Sequence, residues 1–383
     1  MAAAPRLHFG FILSSLDTLP GGLETMARGL ARAVAARGHQ VTTIAGRAVW
    51  KPSFSVPGIE SLVVPSPSLT GPLARPLKRL RPGWALALQS RTFLLACRAT
   101  PLVFRRILEC SVTVTFLELE TVAISRWRAA LGRPNVAYFP GVVRWRDLRR
   151  DRSVLRLAAS ETLAARYRHL PELPIHGVLY PGIDDDAIPG ARTTRAEVAR
   201  ILFVGRLETN KGIATLLDMA RNLSGNGPQL ELRLAGDGPM RREVMRAAQA
   251  LSGAIRLVCL GPLTPAEVRR ELQSTDLFLF PSRYESFGIA VLEALAAGIP
   301  VVCSDLPALR EVAGEAAVFV PAADTTAWIE ATTRLLHDRG LRERLSALGA
   351  MRARRFTWDA AVETLEAHAY RIMSGESGSA SGG

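Results

Sequence analysis

The chain has 383 residues, 48% of them hydrophobic, with 31 Gly and 24 Pro, which suits an α/β protein of about two domains and excludes a fibrous or disulfide-stapled one. No uninterrupted apolar run approaches the ~18 residues of a membrane span, so no bilayer crossing is predicted. The net charge of +13 is uneven: residues 1–190 hold 25 Lys and Arg against 13 Asp and Glu, whereas the remainder holds 23 against 22.

Residues 1–16 are mildly apolar, but Leu7–Leu13 is better used as a first strand than as a leader, because a Gly21-Gly22 turn and a helical stretch to Arg37 follow it. Val41–Ala45 is the next predicted strand. The opening therefore reads strand, glycine loop, helix, strand, which aims the Gly21-Gly22 backbone at the usual ligand position above the strand ends of an open parallel sheet. Leu62–Val64, Ser111–Phe116, Val136–Phe139, Ala158–Ser160 and Ile175–Leu179 supply further strands. Residues 71–108 form a proline-punctuated basic helical region. Residues 185–199 are polar, contain Pro189-Gly190, and read as a linker.

The second half repeats the pattern. Arg200–Val204 is a strand followed by Gly205-Arg206-Leu207-Glu208-Thr209-Asn210-Lys211-Gly212 and a helix. Leu230–Ala235 ends in Gly236, and Ile255–Leu260 runs into Gly261-Pro262-Leu263. Leu277–Phe280 is a buried strand, the next helix runs from about Phe287 to Ala297 with Gly298 as its stop, and Val301–Cys303 is another buried strand. A last helix is expected from about Trp358 to Met373, and the Gly/Ser-rich 374–383 tail reads as disordered. The predicted fold class is α/β, two doubly wound domains in tandem with a cleft between them.

Two carboxylates stand out. Glu293 is the sole polar side chain in Ile289–Ala297, and an unpaired buried carboxylate costs several kcal/mol. Glu285 lies eight positions earlier, where the N–H groups of Ser286, Phe287 and Gly288 are free to bind an anion. The pair reads either as flanks of an anion site or as a solvated edge charge and a helix-cap charge. Arg206 and Lys211, at the end of a strand and before a helix, suit a diphosphate, with Arg as a fork and Lys as a point charge. Only Lys51, Lys78 and Lys211 are lysines, so the one in this loop is not the default cation of the chain.

Ser61–Leu108 has no acidic residue yet carries Arg75, Lys78, Arg79, Arg81, Arg91, Arg98, Arg105 and Arg106, a pattern that fits an anionic membrane surface, an acidic acceptor or an arginine-rich solvated face. No nucleic-acid-binding module is present. Cys97, Cys110, Cys259 and Cys303 lack metal-ligand spacing and read as small buried hydrophobes in a reduced, cytoplasmic compartment.

Taken together, Gly21-Gly-Leu-Glu24, Val204–Gly212, Ala235-Gly-Asp-Gly-Pro239, Leu260-Gly-Pro-Leu263, Asp276–Val302 with its Glu–seven residues–Glu core, Ser304–Glu311 and Arg355-Phe-Thr-Trp358 occur in one order across nearly the whole chain. In this the sequence resembles the retaining glycosyltransferases of family 4, also called glycosyl transferases group 1, which have the GT-B architecture. The resemblance implies domains at 1–185 (acceptor-binding, basic) and 186–357 (nucleotide-sugar-binding), with the helix at 358–373 crossing back to the first. It implies a UDP- or GDP-sugar as co-substrate, with no metal and no other cofactor, and a glycan or lipid-linked acceptor. The setting would be envelope polysaccharide, lipopolysaccharide or glycolipid synthesis at the inner face of a bacterial cell membrane.

By the same resemblance Arg206 and Lys211 would neutralise the leaving diphosphate, with Ser286, Phe287 and Gly288 adding backbone donors. Glu285 would bind sugar hydroxyls and Glu293 the ribose. Gly21, Gly22, Gly205 and Gly236 would allow close backbone approach, and Leu263 would lie near the base. Many relatives place a histidine where this chain has Tyr138-Phe-Pro-Gly141, leaving Glu118 and Glu120 as alternatives on the acceptor side. A nucleotide-sugar epimerase or a non-catalytic nucleotide-sugar-binding relative would share the architecture.

Overall fold

The computed structural model describes residues 5–15, 21–47, 58–66, 84–141, 154–171, 173–184, 198–223, 230–251 and 255–374. The basic residues of 71–83, the linker up to residue 197 and the tail 375–383 lie outside them. The chain divides into two compact units, Met1–Gly182 with Trp358–Gly383, and Ile183–Thr357.

The first unit holds β1 (His8–Leu13), β2 (Gln40–Arg47), β3 (Glu60–Pro65), β4 (Val112–Thr115), β5 (Asn135–Phe139), β6 (Val154–Ala158) and β7 (Gly177–Val178). All pair in parallel in the order β3-β2-β1-β4-β5-β6-β7. The apolar run Phe9–Leu13 is buried because β1 lies in the middle of a sheet covered on both faces, so it shows no alternation. Its helices are α1 (Gly22–Ala36), α2 (Trp84–Ala99), α3 (Pro101–Glu109), α4 (Glu118–Arg128) and α5 (Glu161–Tyr167). The strand expected at Ala158–Ser160 ends at Ala158, because Ser160 caps α5 by accepting the Leu163 N–H at 3.0 Å.

The last helix, Trp358–Met373, packs on α1 within this unit. Gly29 makes room for the Trp358 ring, since a Cβ there would stand 2.0 Å from Cζ2. Arg37 pairs with Glu363 and Glu366 at 2.8 and 3.0 Å, and His39 lies 2.7 Å from Glu366.

The second unit has β8 (Ala199–Val204), β9 (Leu230–Ala235), β10 (Ile255–Gly261), β11 (Leu277–Phe280), β12 (Val301–Ser304) and β13 (Ala317–Val320), all parallel in the order β10-β9-β8-β11-β12-β13. The helices are α6 (Ile213–Asn222), α7 (Arg241–Ala250), α8 (Pro265–Gln273), α9 (Ile289–Ala296), α10 (Pro307–Ala313), α11 (Thr325–His337) and α12 (Arg339–Ala353). Phe203, Phe278 and Phe280 stack across β8 and β11 and are buried. Each such side chain stabilises the sheet by about 1.5–3 kcal/mol. The Ile183 N–H donates to Phe356 O at 2.9 Å, pinning the two ends of this unit together.

Both sheets are doubly wound. Strand order reverses between β1 and β4 in the first and between β8 and β11 in the second, and such switch points are where open α/β sheets bind ligands. Of the cysteines, Cys97, Cys110 and Cys303 are buried, whereas Cys259, expected to be buried, is half-buried; all four are free thiols. Among the described residues no helix is long and apolar enough to cross a membrane.

Candidate functional site

At the second switch point the loops after β8 and β11 are tied to each other. The Arg283 N–H donates to Asn210 O at 2.7 Å, and the Ser282 hydroxyl lies 3.3 Å from the same oxygen. Gly212 permits this approach: at φ 71°, its position would put a Cβ 2.0 Å from Pro281 O. The loop after β9 closes in similarly. Gly236, at φ 142°, would place a Cβ 1.8 Å from Gly205 O, so the two glycines predicted for this site are packed backbone against backbone.

Within this frame Lys211 Nζ meets Glu285 Oε1 at 2.5 Å. The two side chains are 20% and 10% exposed, enough for one face of the pair to meet a ligand. Lys211 also lies over the Phe280 ring, 5.7 Å from its centroid. Sequence reasoning gave these residues separate duties and did not foresee that they touch. Arg206 is not drawn into the pair: its side chain is 66% exposed and bonds Glu208 at 2.9 Å.

α9 begins directly after this loop. Gly288, at φ 103°, turns the chain into it, and no side chain caps it; Val291 and Leu292 donate to Gly288 O at 3.0 and 3.1 Å, which leaves the Ile289 and Ala290 N–H groups without an intrahelical partner. Phe287 is buried against Phe356, with centroids 5.6 Å apart, and Ser286 is half-buried. Glu293, in the second turn of α9, is half-buried and makes no side-chain hydrogen bond among the described residues. Desolvation pushes its carboxyl up to about 7; Asp184 acts in the same direction and Arg269 opposes it. A carboxyl poised there can accept a ligand hydroxyl or donate to it. Leu263 is half-buried between β10 and α8, just before the Thr264–Glu267 capping box.

Gly21 and Gly22 open α1 in the first unit. Gly21 is extended, at φ −167°, so it is not needed for backbone strain; a Cβ there would sit 2.6 Å from the Glu24 carboxylate, which in turn accepts the Ser15 hydroxyl at 2.6 Å. At the end of β5, Tyr138 and Phe139 are buried and packed edge-on against Phe116 and Tyr167. The nearby polar group that sequence reasoning under-weighted is Glu120. It is fully buried in α4, accepts the Ser14 N–H at 3.1 Å and the Ser90 hydroxyl at 3.3 Å, and is pushed up to about 7 by desolvation. Its position two residues after Glu118 at a strand end was the available signal.

Residues 184–350 match the family described as Glycosyl transferases group 1. The chain is 31% identical over 377 residues to the phosphatidyl-myo-inositol mannosyltransferase of Mycobacterium leprae, covering 92% of this chain and 93% of that protein. Among solved structures it is similar to sucrose-phosphate synthase from Thermosynechococcus elongatus, with a TM-score of 0.76 at 20% identity over 97% of this chain and 100% of that one. It is also similar to Anabaena HepE in complex with UDP-glucose, with a TM-score of 0.69 at 16% identity over 94% and 100%. With two doubly wound sheets and a full-length relative at this identity, the chain belongs to the glycosyl transferases of group 1, with the GT-B fold.

Proposed function

We propose that the protein transfers a hexose, with retention of anomeric configuration, from a UDP- or GDP-sugar to a hydroxyl of a lipid-linked or glycan acceptor in cell-envelope synthesis. The observation that carries the donor half is the Lys211–Glu285 pair beside the uncapped N-terminus of α9 at a sheet switch point. A diphosphate there meets helix N–H donors and a lysine with three N–H bonds, one of which stays on Glu285. Glu285 accepts sugar hydroxyls with its remaining lone pairs. Glu293, further along α9, takes the ribose.

As the bond from the anomeric carbon to the phosphate oxygen breaks, negative charge grows on the leaving diphosphate. Lys211 stabilises that charge more in the transition state than in the ground state, which is the condition for raising kcat. Arg206, exposed on its loop, swings from Glu208 to the phosphates and supplies the second cation, so no metal ion is called on. The acceptor oxygen bonds the anomeric carbon from the face the phosphate leaves, and its proton passes to a phosphate oxygen.

The inositol lipid in the name of the Mycobacterium leprae relative supports an acceptor of that class, bound to the basic first unit. The outer face of α2 supports docking at the cytoplasmic face of a membrane: Leu88 and Leu95 are 45% and 69% exposed, with Arg91 and Arg98 exposed between and after them. Incubation with UDP- and GDP-sugars and an inositol lipid tests the proposal by release of the nucleoside diphosphate. Turnover with at least one donor is expected; an inert protein that binds none of them contradicts it.

A further inference from the structure

Ser282 is fully buried in the loop that follows β11, and its hydroxyl faces two backbone carbonyls at once, Tyr284 O at 3.0 Å and Asn210 O at 3.3 Å. These carbonyls belong to the residues that immediately precede Glu285 and Lys211. A hydroxyl has one proton and a carbonyl oxygen has none to give, so a single O–H is shared between the two loops.

Backbone contacts hold the same junction on one side of Ser282. Pro281 O presses on Gly212, where a Cβ would stand 2.0 Å away, and the Arg283 N–H donates to Asn210 O at 2.7 Å. The hydroxyl carries that hold forward to Tyr284 O, the carbonyl next to Glu285. Tyr284 is 37% exposed, so this part of the loop has solvent on its outer side. On the facing loop, Asn210 is the middle residue of the short 3-10 turn Thr209–Lys211, in which the Lys211 N–H is tied to Glu208 O at 3.0 Å. Where Asn210 O is held, the root of the Lys211 side chain is held with it. The shared proton therefore sets how far apart the backbones of Lys211 and Glu285 stand, and their side chains meet at 2.5 Å. Such a pair tolerates little error, since a displacement of about 1 Å in a reacting constellation costs up to about 10²-fold in rate.

We propose that Ser282 is a positioning residue for the transfer reaction, its hydroxyl holding the Glu285 carboxylate at the distance from Lys211 at which both meet the nucleotide sugar. Closed to solvent, the hydroxyl itself touches neither donor nor acceptor. The role rests on the reading of Lys211 and Glu285 as the donor site. A serine that only stabilised the unit would behave differently: its loss would lower the amount of folded protein and leave the turnover of each folded molecule unchanged.

The test is steady-state release of nucleoside diphosphate from UDP- and GDP-sugars with an inositol lipid, by the full chain as wild type, Ser282→Ala, Glu285→Ala and the double variant. Rates are taken per folded molecule, with the folded fraction read from denaturant unfolding. Ser282→Ala is expected to lose about tenfold in kcat, the size of one hydrogen bond. KM should change little, because Lys211 and the Ile289 and Ala290 N–H groups still meet the diphosphate. In the Glu285→Ala background the same substitution should cost less than about twofold, because the group it positions is gone. Ser282→Cys, whose S–H is a weak donor, should fall between Ser282→Ala and the wild type, and it decides the matter if Ser282→Ala does not fold. A kcat per folded molecule equal to that of the wild type overturns the proposal, and so does an equal loss with and without Glu285. A wild type that releases nothing from any donor overturns the transferase reading first, and this role with it.

Discussion

The two sheets reverse their strand order in the same way, yet the side chains gathered at the two reversals differ in kind. The second carries a half-open ion pair, Lys211 with Glu285, beside uncapped helix N–H groups. The first carries buried Ser14, Gln89, Ser90 and Glu120 joined by hydrogen bonds, with no cation among them. One topology thus gathers different side chains at its two reversals, and what each could do follows from those residues rather than from the fold. Each unit also has one carboxyl, Glu120 or Glu293, that desolvation lifts to about 7.

The sharpest way to break the comparison is Lys211→Ala. It removes the point charge from the second crevice and leaves Glu285 without its partner, so kcat is expected to fall by about 10²-fold or more, as when one transition-state donor is lost. Steady-state kinetics should show the loss in kcat as well as in KM; a change in KM alone would put Lys211 in ground-state binding only. Gly236→Ala attacks the frame rather than the charge. The new Cβ meets Gly205 O and the backbone is at a positive φ, so a loss of about 3 kcal/mol is expected, read as a lower midpoint in denaturant unfolding.

Acidity sharpens the comparison because it reaches both units. Glu120 and Glu293 have pKa values raised from 4.5 to about 7 in the folded protein, so the folded state holds protons that the unfolded state has released. Their stabilising contribution is complete below about pH 4.5 and is lost as pH rises through 7. Each is worth about 3 kcal/mol over that window. Glu120→Gln and Glu293→Gln should each flatten the decline of unfolding free energy between pH 5 and pH 8, and a wild-type curve that rises over that range would contradict the assignment. The smallest effect belongs to Arg206→Ala. Its side chain is mostly in solvent, so a loss of about tenfold or less in donor affinity is expected, shrinking further as salt rises.

Much of the second unit could be read from the chain because its signals are local. The unbroken apolar strand Leu277–Phe280, the stop at Gly298 and the lone Glu293 in an apolar helix all fall within one stretch, and the helix is found at Ile289–Ala296 between strands β11 and β12. The contact between Lys211 and Glu285 was not legible. The two are 74 positions apart and meet only because β8 and β11 are neighbours in the sheet, a fact of strand order rather than of either segment. The cluster at the first switch point was hidden for the same reason, since Ser14 and Glu120 are 106 positions apart. Ser160 shows the opposite case: a serine after two alanines reads as the end of a strand, and its capping bond to Leu163 places it at a helix start.

The central claim is that the crevice at Lys211 holds the diphosphate of a nucleotide sugar, and titration of UDP and GDP into the wild type and Lys211→Met, followed by calorimetry, tests it most directly. The account predicts that one of the two nucleotides binds the wild type, with an affinity that falls at least tenfold in Lys211→Met, a loss of about 1.4 kcal/mol or more. Binding of equal strength in the two proteins would contradict it.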